Sequence, residues 1–262
     1  LMYSFAQRTN SQVFDEPLYA HYLSNVSEDK CVKHPAYKEV LSSMEHDGEK
    51  VVDMMLGDFP ADTELVFFKN MTHHLLGLDR SFMKDVVNVI LTRDPEDMLP
   101  SFDKLIESPG MEDVGYAAHV ELIADLESMG ASYLVVESKA ILEDPQGELS
   151  RICDAAGIEF DAAMLSWEKG AREEDGVWAE FWYKGTHNST GFQQYTNLTA
   201  DENNQNIPII EVFEAQPEKK DEVEDLINKL LRSDRDIQSV WLYDWVDARN
   251  VVPLMMLPRN SE

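Results

Sequence analysis

The sequence predicts an α/β domain built on a central parallel sheet, and three observations carry that reading. Leu65-Val66-Phe67-Phe68, Val86 to Thr92 and Tyr133 to Glu137 are short, almost continuously apolar runs, as strands covered on both faces require. Amphipathic helical stretches lie between them. Strands that alternate with helices in this way pair in parallel, with the helices over the sheet. Ligands of such folds bind beyond the carboxyl ends of the strands, so the residues after each strand are the first candidates for function.

The elements follow in order. Leu1 to Arg8 reads as helix, with Leu1, Met2 and Phe5 on one side; no capping residue precedes it, so it is read as the interior of an element that begins upstream. Val13-Phe14-Asp15 is a short strand, and Glu16-Pro17 turns into an aromatic-rich helix from Leu18 to Leu23. A helical pattern spans Val40 to Leu56 with Gly48 as its weak point. Met111 to Met129 places Tyr116, Val120, Ile123 and Leu126 on one helical face, and Gly130 ends it. Asp144-Pro145 is a cap with a first-turn proline, followed by the stripe Leu149, Ile152, Cys153, Ala156 and a stop at Gly157.

The domain is read as residues 1–197. Residues 198–206, with the run Asp201 to Asn206, form a polar linker. Residues 207–262 form a short β-α-β tail: strands at Ile207 to Phe213 and Ser239 to Trp245, and a helix from about Pro217 striped by Val223, Leu226, Ile227 and Leu230. This tail is either a small appended module or a cover for the main domain.

Composition narrows the function classes. Of 262 residues, 44% are hydrophobic and 10% aromatic, enough for a packed core. No apolar run approaches the ~18 residues of a membrane span. The two cysteines, Cys31 and Cys153, make neither a disulfide framework nor a metal set, so a soluble, cytoplasmic protein without a metal is expected. The 50 acidic residues against 22 basic ones, a formal net charge of −28, argue against nonspecific nucleic-acid binding. An anion site in this chain must therefore be a local cluster of donors.

The segment Val89 to Phe102 is the most informative. A buried strand ends on Arg93, Asp94 can cap the next helix, and Pro95 suits its first turn. The guanidinium then stands at the sheet edge beside a helix N-terminus, where anions are favoured. Pro100 kinks that helix, and Ser101 follows about 10 Å along it. Arg93 and Ser101 either converge on a phosphate or serve as a cap and a self-bonded hydroxyl. Lys69 ends the Leu65 strand, with Asn70, His73 and His74 behind it. A lysine suits stabilisation of charge on a leaving phosphate, and a histidine suits removal of a proton.

An Arg ending a buried strand, then Asp-Pro, then Ser eight residues after the Arg resembles the 3′-phosphate motif of sulfotransferases. The chain is similar to small bacterial sulfotransferase-like proteins and to the sulfotransferase-like half of plant proteins fused to an aminotransferase-like domain. The matching pieces are Leu1 to Arg8, Phe14 to Leu23, Met71 to Leu78, Ile90 to Phe102 and Gly176 to Phe192. The resemblance implies a three-layer P-loop-like fold and 3′-phosphoadenosine-5′-phosphosulfate as donor, with no metal. The acceptor it implies is the hydroxyl or amine of a small or carbohydrate-like molecule. It implies 3′-phosphate binding by Arg93 and Ser101. It also points to an acceptor-side role for Glu16, as base or orienting group, although a helix cap is an equal reading. Many members place a histidine one or two residues after the lysine, where this chain has Asn70 and Met71. The base is then His73, His74 or Glu16. Trp182 is a candidate to stack on adenine, and Lys184 or Ser189 to reach a phosphate; core aromatics are the competing reading.

In similar proteins the loop that cradles the 5′-phosphosulfate precedes the Leu1-type helix. The chain by itself is therefore expected to be inactive and less stable than a form extended upstream. Two rivals remain: an ATP-using P-loop kinase, which needs a Gly-x-x-x-x-Gly-Lys-Ser/Thr loop that this sequence does not contain, and a noncatalytic interaction protein on the same fold.

Overall fold

In the computed structural model, residues 1–93, 116–195 and 253–258 are described. The chain opens with helix α1 (Met2–Phe5), whose last residues continue into tight turns at Gln7 and Arg8. Strand β1 (Ser11–Asp15) leads into α2 (Tyr19–Asn25), α3 (Glu28–Cys31), α4 (Tyr37–Ser43) and α5 (Gly48–Met55). Then come β2 (Leu65–Lys69), tight helical turns at Thr72–Leu75 and Arg80–Asp85, and β3 (Val87–Thr92). Helix α6 (Tyr116–Met129), β4 (Tyr133–Glu137), α7 (Ser138–Glu143) and α8 (Pro145–Ala156) follow. A turn at Ala162–Leu165, the short helices α9 (Ala179–Trp182) and α10 (Lys184–Asn188), and strand β5 (Pro253–Pro258) complete the described elements.

The three apolar runs are strands, and the alternation with helices is an α/β arrangement. Within each run, neighbouring residues point to opposite faces. Phe67, Val89 and Val136 join Phe5, Leu149 and Ile152 in one apolar cluster. Val66, Phe68 and Ile90 join Leu122, Ile123 and Leu126 in another. Helices α1 and α8 thus cover one face, and α6 the other. Phe5 stacks on Phe67 at 4.7 Å between ring centroids.

The sheet differs from an all-parallel expectation in one strand. Its order is β1-β2-β5-β3-β4, with β1–β2 and β3–β4 parallel and β5 antiparallel to both β2 and β3. A six-residue piece of the segment assigned to the tail therefore stands in the centre of the sheet. Pro253 and Pro258 lie at its ends, where a missing backbone donor costs least. The expected strands at 207–213 and 239–245, the helix between them and the linker lie outside the described residues.

Two expected boundaries are corrected. The helical pattern from Val40 to Leu56 is two helices, because the chain turns extended at Met44 and restarts at Gly48. Asp47 caps the second one, accepting from the amides of Glu49 and Lys50 at 3.1 and 3.4 Å. A side chain at Gly48 would meet the ring of His21 at 2.6 Å, so a close approach rather than flexibility explains the glycine. The other boundary is α1, shorter than the Leu1–Arg8 expectation because its last residues leave α geometry. Helix α8 is as read: Asp144 accepts from the amide of Gly147 at 2.9 Å, and Gly157 closes it with φ of 70°. Among the described residues, no helix is long and apolar enough to cross a membrane.

Candidate active site

The carboxyl ends of β1 and β2 meet in register, with Asp15 opposite Lys69. That pairing brings an acid and a base together at the edge where ligands of α/β sheets bind. Lys69 is 5% exposed, and its Nζ lies 2.9 Å from Asp15 Oδ1 and 2.5 Å from Glu16 Oε1. It also donates to the hydroxyl of Tyr183. Tyr183 in turn donates to Asp15, at 2.7 and 2.8 Å from the two carboxylate oxygens. The amide of Gly176 closes the ring of contacts on Asp15 Oδ2 at 3.1 Å.

Burial alone would lower the Lys69 ammonium, but the Asp15 and Glu16 carboxylates outweigh it and hold the group above its ordinary value. Burial, then the same two carboxylates, pushes the Tyr183 phenol well above its usual range. Tyr183 therefore keeps its proton and acts as a donor. Glu16 has a positive φ of 46°, which a residue with a Cβ adopts at a cost. Its amide donates to the carbonyl of Lys69 at 2.6 Å, and its carbonyl accepts from Tyr19 at 2.9 Å. The turn after β1 is held in a strained shape that delivers the carboxylate onto Lys69.

Beyond Lys69, Asn70 uses its Oδ1 to accept from the amide of Leu18 at 3.1 Å. The tight turn Thr72–Leu75 then packs the two histidines against α2. His74 is 1% exposed and stacks on Tyr19 at 4.8 Å and 13°. His73, half-buried, meets the edge of Tyr22 at 4.7 Å. Burial, followed by the neighbouring His73 and His34, Lys69 and His21, lowers His74 well below the usual imidazole value. Arg93 follows β3 at the same sheet edge and is buried. Ser101 lies outside the described residues.

The Gly176–Phe192 segment divides. Trp178 is 2% exposed and packs its edge on Tyr19 at 5.0 Å, as a core aromatic does. Tyr183 reaches Lys69, whereas Lys184 is exposed and Trp182 half-buried. The Ser189 hydroxyl accepts from Trp167 Nε1 at 3.0 Å and donates to the carbonyl of Thr186 at 2.7 Å. Among the described residues, no group of three or more His, Cys, Asp or Glu side chains could hold a metal ion.

Sequence reasoning passed over three members of this region. Asp175 accepts both contacts of the Tyr3 hydroxyl at 2.8 Å and lies 3.0 Å from His187 Nε2, tying α1 to α10. It sits in the acidic run Glu173-Glu174-Asp175, which reads as solvated loop, and Tyr3 reads as one more helical aromatic. The third is His119 on α6, which is fully buried. Burial, with a smaller contribution from His73, lowers it to about 3.

His74 and His119 set a pH dependence. Their folded-state values lie below the unfolded value of about 6.5, so below that pH the unfolded chain binds protons that the folded chain refuses. Stability is therefore present above about pH 6.5 and is lost as pH falls toward the folded values, that of His119 being about 3. We expect the free energy of denaturant unfolding to fall through that window, by about 1.4 kcal/mol per pH unit for each such group at most. A His119→Leu variant should show a shallower fall. An identical pH slope in the variant would remove His119 from this account.

Comparison with known proteins places the chain. Residues 1–205 match the family described as "Sulfotransferase domain". The chain belongs to the sulfotransferase domain family. It is 41% identical over 194 residues to branched-chain-amino-acid aminotransferase-like protein 2 of Arabidopsis thaliana, covering 73% of this chain and 34% of that protein. The same identity and coverage hold for branched-chain-amino-acid aminotransferase-like protein 1 of that plant. The sulfotransferase chain thus spans about a third of the length of these relatives. No solved structure matches it.

Proposed function

We propose that the chain transfers a sulfuryl group from 3′-phosphoadenosine-5′-phosphosulfate to an acceptor hydroxyl or amine, on a three-layer P-loop-like framework. The observation that carries this reading is the buried Lys69 ammonium held between Asp15 and Glu16, at the sheet edge from which Arg93 also emerges. A sulfotransferase needs a group to take the acceptor proton and a cation to face the charge that moves onto the leaving phosphate.

Glu16 is the proton acceptor in this reading. With both carboxylates ionised, one ammonium and two carboxylates leave the cluster net negative, which disfavours a phosphate nearby. When Glu16 takes the acceptor proton, Lys69 loses one of its two counter-charges and can face the leaving group. The acceptor oxygen or nitrogen bonds to sulfur as the bond between sulfur and the phosphate oxygen breaks. Adenosine 3′,5′-bisphosphate departs with the electron pair. Asp15 and Tyr183 keep Lys69 in place throughout. His74 is too deeply buried to gain a proton readily, and His73 remains the alternative base.

Arg93, with Ser101, is assigned to the 3′-phosphate, and Trp182, Lys184 and Ser189 to the rest of the nucleotide. Adenosine 3′,5′-bisphosphate should then bind more tightly than adenosine 5′-monophosphate. Arg93→Ala should erase the preference, at a cost of about 1.5–3 kcal/mol for a charged hydrogen bond. Calorimetry giving equal affinities for the two nucleotides would refute the donor assignment.

A further inference from the structure

Asp175 stands outside the cluster on Lys69, yet the residue after it reaches that cluster. The Asp175 side chain is 6% exposed, and its carboxylate gathers donors from three places. The Tyr3 hydroxyl of α1 reaches both oxygens at 2.8 Å, and the amide of Arg172 donates to Oδ2 at 2.8 Å. His187 Nε2 of α10 lies 3.0 Å from the same Oδ2. A carboxylate only accepts, so Nε2 carries the proton. The Tyr3 ring is stacked on His187, 24° apart with centroids 6.5 Å from one another, and the Arg172 guanidinium stands 5.5 Å from its centroid. A buried carboxylate with partners on separate segments fixes the turn from Arg172 to Asp175 against α1 and α10.

The consequence falls on the next residue. Gly176 donates its amide to Asp15 at 3.1 Å. Its carbonyl accepts from the amide of Ala179 at 2.9 Å, which opens the helix that leads to Tyr183. A Cβ on Gly176 would collide with the ring of the buried Trp178, so the backbone is pinned from the inner side as well. Among the described residues, Asp15 accepts from Lys69, Tyr183 and Gly176, and the last two belong to the segment that starts at this turn. Each donor takes up part of the Asp15 charge. With the Gly176 amide in place, Asp15 grips Lys69 less tightly, and the ammonium is freer to turn toward charge on a leaving phosphate. We propose that Asp175 is a positioning residue: by fixing the turn it keeps the Gly176 amide on Asp15 and so sets the grip of Asp15 on Lys69. For its effect on transfer this rests on the sulfotransferase reading; the placement of Gly176 does not.

The test compares Asp175→Asn with the wild type in the full chain. Asparagine keeps the size of the side chain, but its one oxygen cannot hold all of these donors. Hydrogen exchange at the Gly176 amide, followed by NMR, should lose protection by about tenfold or more while the amides of β1 and β2 keep theirs. The Nζ resonance of Lys69 should shift. Single-turnover transfer from labelled donor should fall by roughly tenfold, the scale of one hydrogen bond to a charged group, with adenosine 3′,5′-bisphosphate affinity unchanged. Tyr3→Phe should move all of these readouts the same way by less. The double variant should add little to Asp175→Asn, because both changes act through one carboxylate. A carboxylate that only staples α1 to α10 would give lower stability with Gly176 protection, the Lys69 signal and the transfer rate of the folded chain unchanged, and that result overturns the proposal. So does lost Gly176 protection with an unchanged rate. If Asp175→Asn does not fold, Tyr3→Phe carries the same expectations and is equally decisive. A wild-type chain that neither transfers nor binds nucleotide would strike the sulfotransferase reading instead, and the exchange and Lys69 readouts would still decide whether Asp175 places Gly176.

Discussion

Glu16→Gln is expected to lower the rate of sulfuryl transfer by roughly 10²–10⁴ while leaving affinity for adenosine 3′,5′-bisphosphate nearly unchanged. Glutamine keeps the shape of the side chain and an oxygen that can accept from Lys69, but it cannot take a proton at neutral pH. The substitution therefore separates proton transfer from the packing of the strained turn, which positive φ at residue 16 makes a sensitive place for a bulkier change. The check is single-turnover transfer from labelled donor, with His73→Ala run beside it. Full activity in Glu16→Gln together with loss in His73→Ala would move the base to the histidine. Loss in both, with the pH profile altered only by Glu16→Gln, would keep Glu16 as base and leave His73 a role in holding the acceptor.

Lys69→Met should be the most destabilising single change at the site, by about 3–5 kcal/mol, since it leaves Asp15 and Glu16 buried without their cation. Tyr183 and the amide of Gly176 would still reach Asp15, but nothing described would neutralise the paired acids. Denaturant unfolding at neutral pH measures the loss. Adding Glu16→Gln to Lys69→Met should restore part of it, because one of the stranded charges is then removed. A loss below about 1 kcal/mol, the scale of an exposed pair, would show that water reaches the cluster. The linkage has a definite sign. Lys69 is held above its ordinary value, so its contribution is complete below about pH 10.4 and is lost only as pH rises through the higher folded value.

Much of the fold could be read from residue pattern because its cues are local. The runs at Leu65 and Val87 are apolar on successive residues, as strands buried on both faces require, whereas the run at Tyr133 is an edge strand in which only Val136 is buried. Asp144, Pro145 and Gly157 bound α8 through chemistry within a few residues of each end. Strand β5 carries no such cue: it is short, flanked by prolines, and gains its meaning only from two strands more than a hundred residues away. The site divides along the same line. Lys69 was legible because it ends a strand, and Glu16 because it opens an acidic-Pro turn. Their union with Asp15 and Tyr183 depends on strand register and on a segment over a hundred residues distant, which no spacing in the sequence encodes. His119 was missed because a histidine within a helical stripe looks like any other half-polar helix residue. Its distinction is the lack of a hydrogen-bond partner among the described residues, and that exists only in three dimensions.

The antiparallel β5 has a consequence for how the molecule is made. Strands β1 and β2 form one parallel pair and β3 and β4 another, and the strand that lies between the two pairs is β5. On the ribosome both pairs emerge well before it, since β4 ends at Glu137 and β5 begins at Pro253. At usual rates of synthesis that interval is on the order of ten seconds. Until it ends, the inner edges of β2 and β3 have backbone groups that lack the partner they will have in the finished sheet, the kind of edge that recruits foreign strands. Lys69 and Arg93 grow from those two edges. The nascent chain thus holds Lys69 and Arg93 on separately formed ribbons, and their alignment is among the last events of its folding.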